Sequence, residues 1–306
     1  MNNKNSIGFI GLGVMGFPMA SNLLEAEKEL VVYDINEEQA AKLPFQERVT
    51  IAASKAELAE KVSIVLLMLP NSPHVQDAIL SKDGLASNLS PGDLIVDMSS
   101  ISSTVTKEIS EELEKNKIEM IDAPVSGGQS GAVEGTLTFM VGGKKENFDK
   151  AFEFLQIMGE KIIHCGEVGS GQTVKIVNQL MSAVNLVSMS EGFTLGVKGG
   201  VDPEIMREVI LNGSGRCWAL EDRMPVILER NFEPGFTIDL HTKDISLALE
   251  VGKELQVPLY ATTLVHELFK TMQVKGKGKN DNSAIINLYE ELADIEVTKG
   301  SRVILQ

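Results

Sequence analysis

The sequence has few cysteines, a shortage of positive charge and no long apolar run, and each shortage excludes a class of protein. Its 306 residues include two cysteines, too few for the disulfide framework of a small secreted domain. Lysine and arginine total 28 against 43 aspartates and glutamates, a net charge of −15 that argues against nucleic acid and anionic membranes as partners. The longest strongly apolar run, Ile64–Leu69, is far shorter than the ~20 residues that cross a bilayer.

The composition indicates a folded, cytoplasmic protein with no metal centre. Hydrophobic residues make up 43% and charged residues 23% of the chain, as in ordinary globular proteins. Residues 1–6 are polar and lead directly into an apolar segment, without the apolar stretch and cleavage site of a signal peptide. The four histidines show no close ligand spacing, so no metal site is expected. The length favours two domains.

The first half of the chain has the pattern of a parallel sheet covered by helices. Near-continuous apolar runs predict strands, and amphipathic segments such as Pro18–Ala26 and Glu37–Leu43 predict helices between them. The strands are predicted at Ile7–Ile10, Leu30–Tyr33, Ile64–Leu69, Leu94–Asp97, Ile118–Ile121 and Leu137–Val141. We therefore expect an α/β fold whose N-terminal domain, residues 1–166, is a doubly wound parallel sheet of the Rossmann type.

After Gly166 the pattern becomes helical, which predicts an all-α domain over residues 167–306. Val174–Lys198 is free of proline and long enough to span much of a domain. The segment Lys275–Asn280, rich in glycine and lysine, is interpreted as a solvated connection. Further helices are predicted at Asp202–Leu211, Lys243–Leu255, Pro258–Val274 and Asn282–Ala293. Asp202 before Pro203 is typical of an N-cap followed by proline at the first helical position.

A glycine-rich turn follows the first predicted strand. Gly11, Gly13 and Gly16 form a G-x-G-x-x-G pattern that opens a predicted helix, and Asp34 ends the second strand 18 residues later. In a dinucleotide site the first glycine permits the turn, the second admits the pyrophosphate and the third allows close helix packing. An acidic residue at Asp34 can bind a ribose and repels a 2′-phosphate. The pattern predicts NAD binding, with NAD preferred over NADP.

Polar residues at two further strand ends are additional cofactor candidates, because ligands of open parallel sheets lie beyond the carboxyl ends of the strands. Leu69–Asn71 closes one strand, and Asp97–Ser100 closes another. The segment Asp122–Thr136 then concentrates glycines and hydroxyl groups between two strands. Its backbone N–H groups could cradle a substrate carboxylate, or the segment could be a flexible connection.

A polar stripe crosses the otherwise apolar helix that begins the second half. Lys175, Asn178, Gln179 and Ser182 are spaced as one helical face. A buried lysine can have its pKa lowered enough to exchange protons near neutrality. The alternative is a lysine that reaches solvent or holds a structural ion pair.

Four blocks, in chain order and spread over nearly the whole sequence, resemble signatures of the β-hydroxyacid dehydrogenase family. Gly8–Ala20 resembles its dinucleotide signature and Asp122–Leu137 its substrate signature. Gly169–Asn178 is similar to the catalytic block, and Ile238–Asp244 to the C-terminal cofactor block. The resemblance implies hydride transfer between NAD(H) and a small 3-hydroxyacid or semialdehyde, in a homodimer or homotetramer whose helical domain makes the subunit contacts.

The same resemblance assigns roles to individual residues. Lys175 would be the general acid and base, with Asn178 and Gln179 beside it at the substrate. The substrate carboxylate would be held by Ser126, Gly127 and Gly128. Cofactor contacts would come from Gly11, Leu12, Gly13, Val14, Met15, Gly16, Asp34, Leu69, Pro70, His74, Ser100 and Lys243.

The branch of the family is less clearly marked than the family itself. Gln179, where many members have a second asparagine, resembles tartronate semialdehyde reductases, whereas Ser214–Arg216 resembles 2-(hydroxymethyl)glutarate dehydrogenase, whose substrate has a second carboxylate that Arg216 could contact. A 3-hydroxyisobutyrate or sulfolactaldehyde reductase is an alternative. An imine reductase, a phosphogluconate-type decarboxylating enzyme and a non-catalytic nucleotide-binding interaction protein are further alternatives. Lys175 argues against an imine reductase and against a non-catalytic interaction protein, because such relatives usually lack that lysine.

Overall fold

Six parallel strands form the centre of the first part of the chain in the computed structural model, which describes residues 6–301. The expectation about the N-terminal segment concerns mainly residues 1–5, which lie outside the described residues. The strands are β1 Ile7–Ile10, β2 Leu30–Tyr33, β3 Val49–Ile51, β4 Ile64–Leu67, β5 Leu94–Asp97, β6 Glu119–Asp122, β7 Val125–Ser126, β8 Leu137–Gly142 and β9 Gly159–Gly166. Their α-helices are α1 Gly16–Glu25, α2 Glu37–Ala41, α3 Lys55–Lys61, α4 Ser72–Leu80, α5 Ser103–Glu114, α6 Gly128–Glu134 and α7 Lys145–Met158.

The strand order β3-β2-β1-β4-β5-β6 confirms the doubly wound architecture. The sheet continues beyond these six parallel strands with β8, which pairs antiparallel with β6 and β7 and parallel with β9. The connection from β7 to β8, residues 127–136, is shorter than the dozen or more residues that a parallel crossover needs. The chain therefore turns back on itself at this edge of the sheet.

Side chains that alternate along the central strands build the core on both faces of the sheet. Phe9 and Val32 lie in one apolar cluster, and Val31 and Val65 in another. Successive residues of a strand point to opposite faces, so a strand that is apolar at every position needs cover on both sides. The helices supply that cover, and the carboxyl ends of the parallel strands are left for polar residues.

The second part of the chain is helical, as predicted. Its helices are α8 Ser170–Lys198, α9 Pro203–Leu211, α10 Trp218–Leu228, α11 Ile238–Glu254, α12 Tyr260–Val274 and α13 Ile286–Ala293. The Asp202 side chain accepts a hydrogen bond from the Glu204 N–H at 2.8 Å, the N-cap expected from the sequence. The boundary between two compact units falls between Lys175 and Ile176, within α8. Of the described helices, none is long and apolar enough to cross a membrane.

The glycine- and lysine-rich segment after α12 is a structured cap and not only a solvated connection. The carbonyl oxygens of Gly278 and Asn280 accept hydrogen bonds from the first N–H groups of α11 at 2.9 and 3.0 Å. Lys279 forms an ion pair with Asp239 in the first turn of α11, at 3.1 Å. The segment thus satisfies donors that a helix start leaves without intrahelical partners.

Candidate active site

The glycine turn between β1 and α1 has the geometry that its sequence predicts. Gly11 has a φ of +96°, which disfavours any residue with a side chain. At Gly16 a Cβ would overlap the carbonyl oxygen of Gly11, so α1 can begin this close to β1 only with glycine there. At Gly13, which is exposed, a Cβ would meet nothing within 4 Å. The middle glycine therefore leaves open space beside the backbone.

Asp34 connects this turn to the end of β2. One carboxylate oxygen accepts the Leu12 N–H at 2.6 Å and the other accepts the Asn36 N–H at 2.7 Å. A carboxylate has about four acceptor positions, so two hydrogen bonds leave capacity for the hydroxyl groups of a ribose. Together with the space at Gly13, the residues present fit a dinucleotide. Val14 is exposed and Met15 half-buried in the same turn.

Polar contacts link the neighbouring ends of β4 and β5. The Ser99 hydroxyl accepts the Leu69 N–H at 2.9 Å, and the Ser99 N–H donates to Asp97 at 3.0 Å. His74 lies exposed in the first turn of α4, where its Nδ1 is 2.5 Å from the Oδ1 of the N-cap residue Asn71. Pro70 is exposed and Ser100 half-buried along this edge. The cofactor candidates predicted here thus follow two adjacent strands, with His74 in the helix after the first of them.

Two buried carboxyl groups end β5 and β6 side by side. Asp97 and Asp122 are register partners in the sheet, and each is fully buried. Burial raises the pKa of Asp97 to about 7 against the hydrogen bonds from Ser99, and the charge of Asp122 raises it further. Burial also raises the pKa of Asp122 to about 6, although backbone N–H groups of Gly169 and Gln172 favour its ionised form. The Oδ2 of Asp97 has no hydrogen-bond partner among the described residues.

The segment after Asp122 is ordered into a short strand and a short helix, which disagrees with the alternative of a flexible connection. Ser126 is half-buried at the end of β7, and Gly127 and Gly128 follow it with exposed backbone. Their φ values are +134° and +65°. The three residues expected to hold a carboxylate thus lie at the end of β7 and immediately after it.

Lys175 lies in the second turn of α8, in the same unit as the glycine turn and the segment Ser126–Gly128. Its side chain is only 8% exposed. This burial does not fit the alternative of a lysine that reaches solvent. The alternative of a structural ion pair is compatible with the same burial, because a buried ammonium group is stabilised by a partner.

The other polar residues of the stripe belong to the second unit, where Asn178 and Gln179 form a chain of contacts with α11. The Gln179 amide donates to Asp244 at 2.7 Å and accepts from the Asn178 amide at 3.0 Å. Lys243 pairs with the same carboxylate at 3.1 Å. Gln179 is 6% exposed whereas Asn178 is exposed, so the two neighbours differ in accessibility.

Two further predictions from the sequence concern Arg216 and metal binding. Arg216, considered as a contact for a second carboxylate, is paired with Glu221 at 2.5 Å. Within residues 6–301, no group of three or more His, Cys, Asp or Glu side chains is placed to hold a metal ion.

Sequence reasoning treated Asp97 only as one of the polar residues at a strand end and assigned no role to Asp122, Gln172 or Asp244; all four are buried. For the first two a signal was present, since each is a carboxylate at the end of an apolar strand. For Gln172 and Asp244 there was no such signal, because their partners are distant in the chain: Gln172 contacts Asp122 and Asp244 contacts Gln179.

Comparison with known proteins finds two matching domain families and full-length relatives. Residues 6–166 match the NAD-binding domain of 6-phosphogluconate dehydrogenase, and residues 169–289 match the NAD-binding domain of NADP-dependent 3-hydroxyisobutyrate dehydrogenase. The chain is 39% identical to 2-(hydroxymethyl)glutarate dehydrogenase of Eubacterium barkeri, over 98% of this chain and 100% of that protein. It is 36% identical to 2-hydroxy-3-oxopropionate reductase of Escherichia coli K12, over 94% and 98% of the two chains.

A solved structure of similar fold is the 3-hydroxyisobutyrate dehydrogenase of Mycobacterium tuberculosis with L-serine. It superposes with a TM-score of 0.87 at 31% identity, covering 93% of this chain and 98% of that one. The similarity therefore extends over both units.

Proposed function

The chain belongs to the β-hydroxyacid dehydrogenase family of NAD-binding oxidoreductases, and from that premise we propose that it interconverts a small 3-hydroxyacid and its semialdehyde with Lys175 as general acid and base. The observation that carries this proposal is the nearly complete burial of Lys175, at 8% exposure, in the same unit as the glycine turn. A buried amine with this setting is suited to proton exchange with a reacting hydroxyl group.

The reaction is an oxidation of a carbinol to an aldehyde, or its reverse. The carbinol loses a hydride from carbon and a proton from oxygen, and the nicotinamide cofactor supplies or accepts the hydride when bound. Lys175 removes the hydroxyl proton in oxidation and returns it to the aldehyde oxygen in reduction. Proton transfer by a positioned side chain contributes about 10²- to 10⁴-fold to such a rate.

The proposed cofactor residues are those of the glycine turn with Asp34. Open space at Gly13 allows a phosphate to approach the backbone, and the start of α1 offers N–H groups that lack intrahelical acceptors. Asp34 would accept hydrogen bonds from a ribose and repel a 2′-phosphate. We therefore infer a preference for NAD over NADP.

The substrate is proposed to be a small carboxylate held by Ser126, Gly127 and Gly128. We propose the substrates of 2-(hydroxymethyl)glutarate dehydrogenase, at 39% identity, and of 2-hydroxy-3-oxopropionate reductase, at 36% identity. The alternative is 3-hydroxyisobutyrate, because 3-hydroxyisobutyrate dehydrogenase of Mus musculus is also 36% identical to this chain. A homodimer or homotetramer is proposed as the working form, consistent with the exposed apolar side chains of Leu195, Tyr260 and Leu264 on the helical unit. A cytoplasmic location is proposed with it.

The test is oxidation of NADH by the purified protein with a panel of aldehydes, with NADPH in parallel. The panel contains tartronate semialdehyde, 2-formylglutarate, methylmalonate semialdehyde, succinic semialdehyde and sulfolactaldehyde. Lys175→Ala is expected to lower kcat by about 100-fold or more with NADH binding retained. Lys175→Arg is the matched control that keeps the charge and is equally inactive, because a guanidinium does not release its proton near neutrality.

Turnover of Lys175→Ala within a few-fold of the natural protein would contradict the role of Lys175. Retained NADH binding without activity on any aldehyde would instead favour a non-catalytic nucleotide-binding protein. Equal kcat/KM with NADH and NADPH would contradict the proposed cofactor preference.

A further inference from the structure

The carboxylate of Asp122 caps the helix that carries Lys175. Its two oxygens accept the N–H groups of Gly169 and Gln172 at 2.7 and 2.8 Å, at the start of α8. These are donors that a helix start leaves without intrahelical acceptors, and an anion there also interacts favourably with the helix dipole. The cap residue is 47 and 50 residues away in the chain, so it joins β6 to α8.

Close backbone packing holds this carboxylate in place. A Cβ at Gly142 would lie 2.5 Å from one Asp122 oxygen, and a Cβ at Gly171 would lie 2.8 Å from the other. Only glycine fits at either position without displacing the carboxylate. The end of β8 and the start of α8 thus pack closely against the Asp122 carboxylate.

Gln172 connects the same helical turn to a second strand. Its side-chain amide donates to the Ser99 carbonyl at 2.7 Å and accepts the Ile101 N–H at 3.2 Å, and the residue is fully buried. Its backbone N–H is bound to Asp122. One residue of α8 is therefore hydrogen-bonded to the segments that follow both β5 and β6.

Lys175 follows Gln172 by three residues, which places the two on neighbouring positions of one helical face. We propose that Asp122 and Gln172 are positioning residues for Lys175, which fix the turn of α8 that carries it relative to the segment beginning at Ser126. This proposal rests on the function proposed for Lys175. Asp122 ends β6, four residues before Ser126, and its carboxylate accepts hydrogen bonds from the start of α8. It therefore connects the segment that begins at Ser126 to the helix that carries Lys175.

The test compares Asp122→Asn and Gln172→Met with Asp93→Asn. Asp93 is a matched control, a buried carboxylate that accepts a backbone N–H from Ser90 at 2.8 Å just before the opposite end of β5. We expect kcat with the preferred semialdehyde to fall about 10- to 100-fold in the first two variants, the usual effect of misplacing a catalytic group by about 1 Å. KM and the Kd for NADH should stay within about twofold, and Asp93→Asn should keep its kcat.

A spectroscopic readout separates positioning from general damage. Biosynthetic labelling of lysine with ¹³C at Cε gives each lysine side chain an NMR signal, and the signal missing from Lys175→Arg identifies Lys175. That signal is expected to move in Asp122→Asn and Gln172→Met and to stay in place in Asp93→Asn. If Asp122→Asn does not fold, Gln172→Met alone decides, since it removes both side-chain hydrogen bonds to the segment after β5.

An unchanged Lys175 signal, or a kcat loss shared equally by Asp93→Asn, would overturn the positioning role. A moved signal together with an active Lys175→Ala would overturn the proposed function of Lys175 while supporting its positioning by Asp122. The two failures are therefore distinguishable.

Discussion

At the scale of single residues, two glycines of the β1–α1 turn, Gly13 and Gly16, should differ in what they lose when replaced. Gly13→Ala adds a methyl group to open space, so we expect the free energy of unfolding to be unchanged. The methyl group would occupy the space proposed for the phosphate, so the Kd for NADH should rise about tenfold or more. Gly16→Ala forces overlap with the Gly11 carbonyl, so it should lower the free energy of unfolding by about 1–3 kcal/mol. Urea unfolding and NADH fluorescence titration measure both quantities. Unimpaired NADH binding by Gly13→Ala would contradict the proposed phosphate site.

Residue roles were predictable where the partners are close in sequence. The backbone requirements at Gly11, Gly13 and Gly16 follow from the local G-x-G-x-x-G pattern, and the structure has the predicted turn geometry. The role of Asp122 was not predictable, because the N–H groups it accepts come from Gly169 and Gln172, which only the completed sheet brings near. Local patterns report backbone requirements, whereas long-range hydrogen bonds depend on the tertiary fold.

At the scale of helices, the side chain of Gln179 joins α8 to α11. It donates to the carboxylate of Asp244, which is 4% exposed, and the ring of His241 lies 3.2 Å from the Gln179 carbonyl oxygen. Gln179→Leu would leave that carboxylate without this donor, so the free energy of unfolding should fall by about 1–3 kcal/mol. Asn178→Ala, at an exposed position, is the control and should lose less than about 0.5 kcal/mol.

Trp218 is the single tryptophan of the sequence and lies in the second unit, so its fluorescence during urea unfolding reports on these helices. Equal stability of the two variants would show that the contact between Gln179 and Asp244 contributes nothing. The comparison needs no assay of activity and is independent of any role of Gln179 at the substrate.

Strands and helices were predictable where the pattern of their own apolar side chains indicates them. The strands β1, β2 and β5 were located to the residue by continuous apolar runs. Strand β9 was not predicted, since most of its residues are exposed or half-buried and show no apolar alternation. Helix α10 was also missed, and it contains Pro225 in its interior. Helix α8 begins four residues before its predicted start at Val174, where the remote carboxylate of Asp122 binds its first turn.

At the scale of the whole molecule, the dependence of stability on pH combines groups of opposite sign. The hydrogen bond from Gln273, opposed by partial burial and aided by Lys279, lowers the pKa of Asp239. A group of this kind stabilises the fold above its unfolded pKa, and that stability is lost as the pH falls through its folded pKa. Asp97 and Asp122 act in the opposite direction, because burial raises the pKa of each.

Replacing Asp97 isolates the contribution of the buried pair. With a pKa of about 7, folded Asp97 binds more protons than the unfolded chain between about pH 4 and pH 7, so its contribution to the free energy of unfolding falls as the pH rises through that interval. Asp97→Asn is neutral throughout and retains an oxygen that can accept the Ser99 N–H. Relative to the natural protein, the variant should therefore gain stability from pH 4 to pH 8, by up to about 4 kcal/mol at about 1.4 kcal/mol per pKa unit. Urea unfolding followed by circular dichroism across this range measures the difference in the free energy of unfolding between the two proteins. A difference that does not change with pH would contradict the raised pKa and show that Asp97 is ionised in the folded protein throughout this range. Between pH 4 and pH 6 the raised pKa of Asp122, the carboxylate that caps α8, contributes a slope of the same sign as Asp97, and this contribution remains in Asp97→Asn.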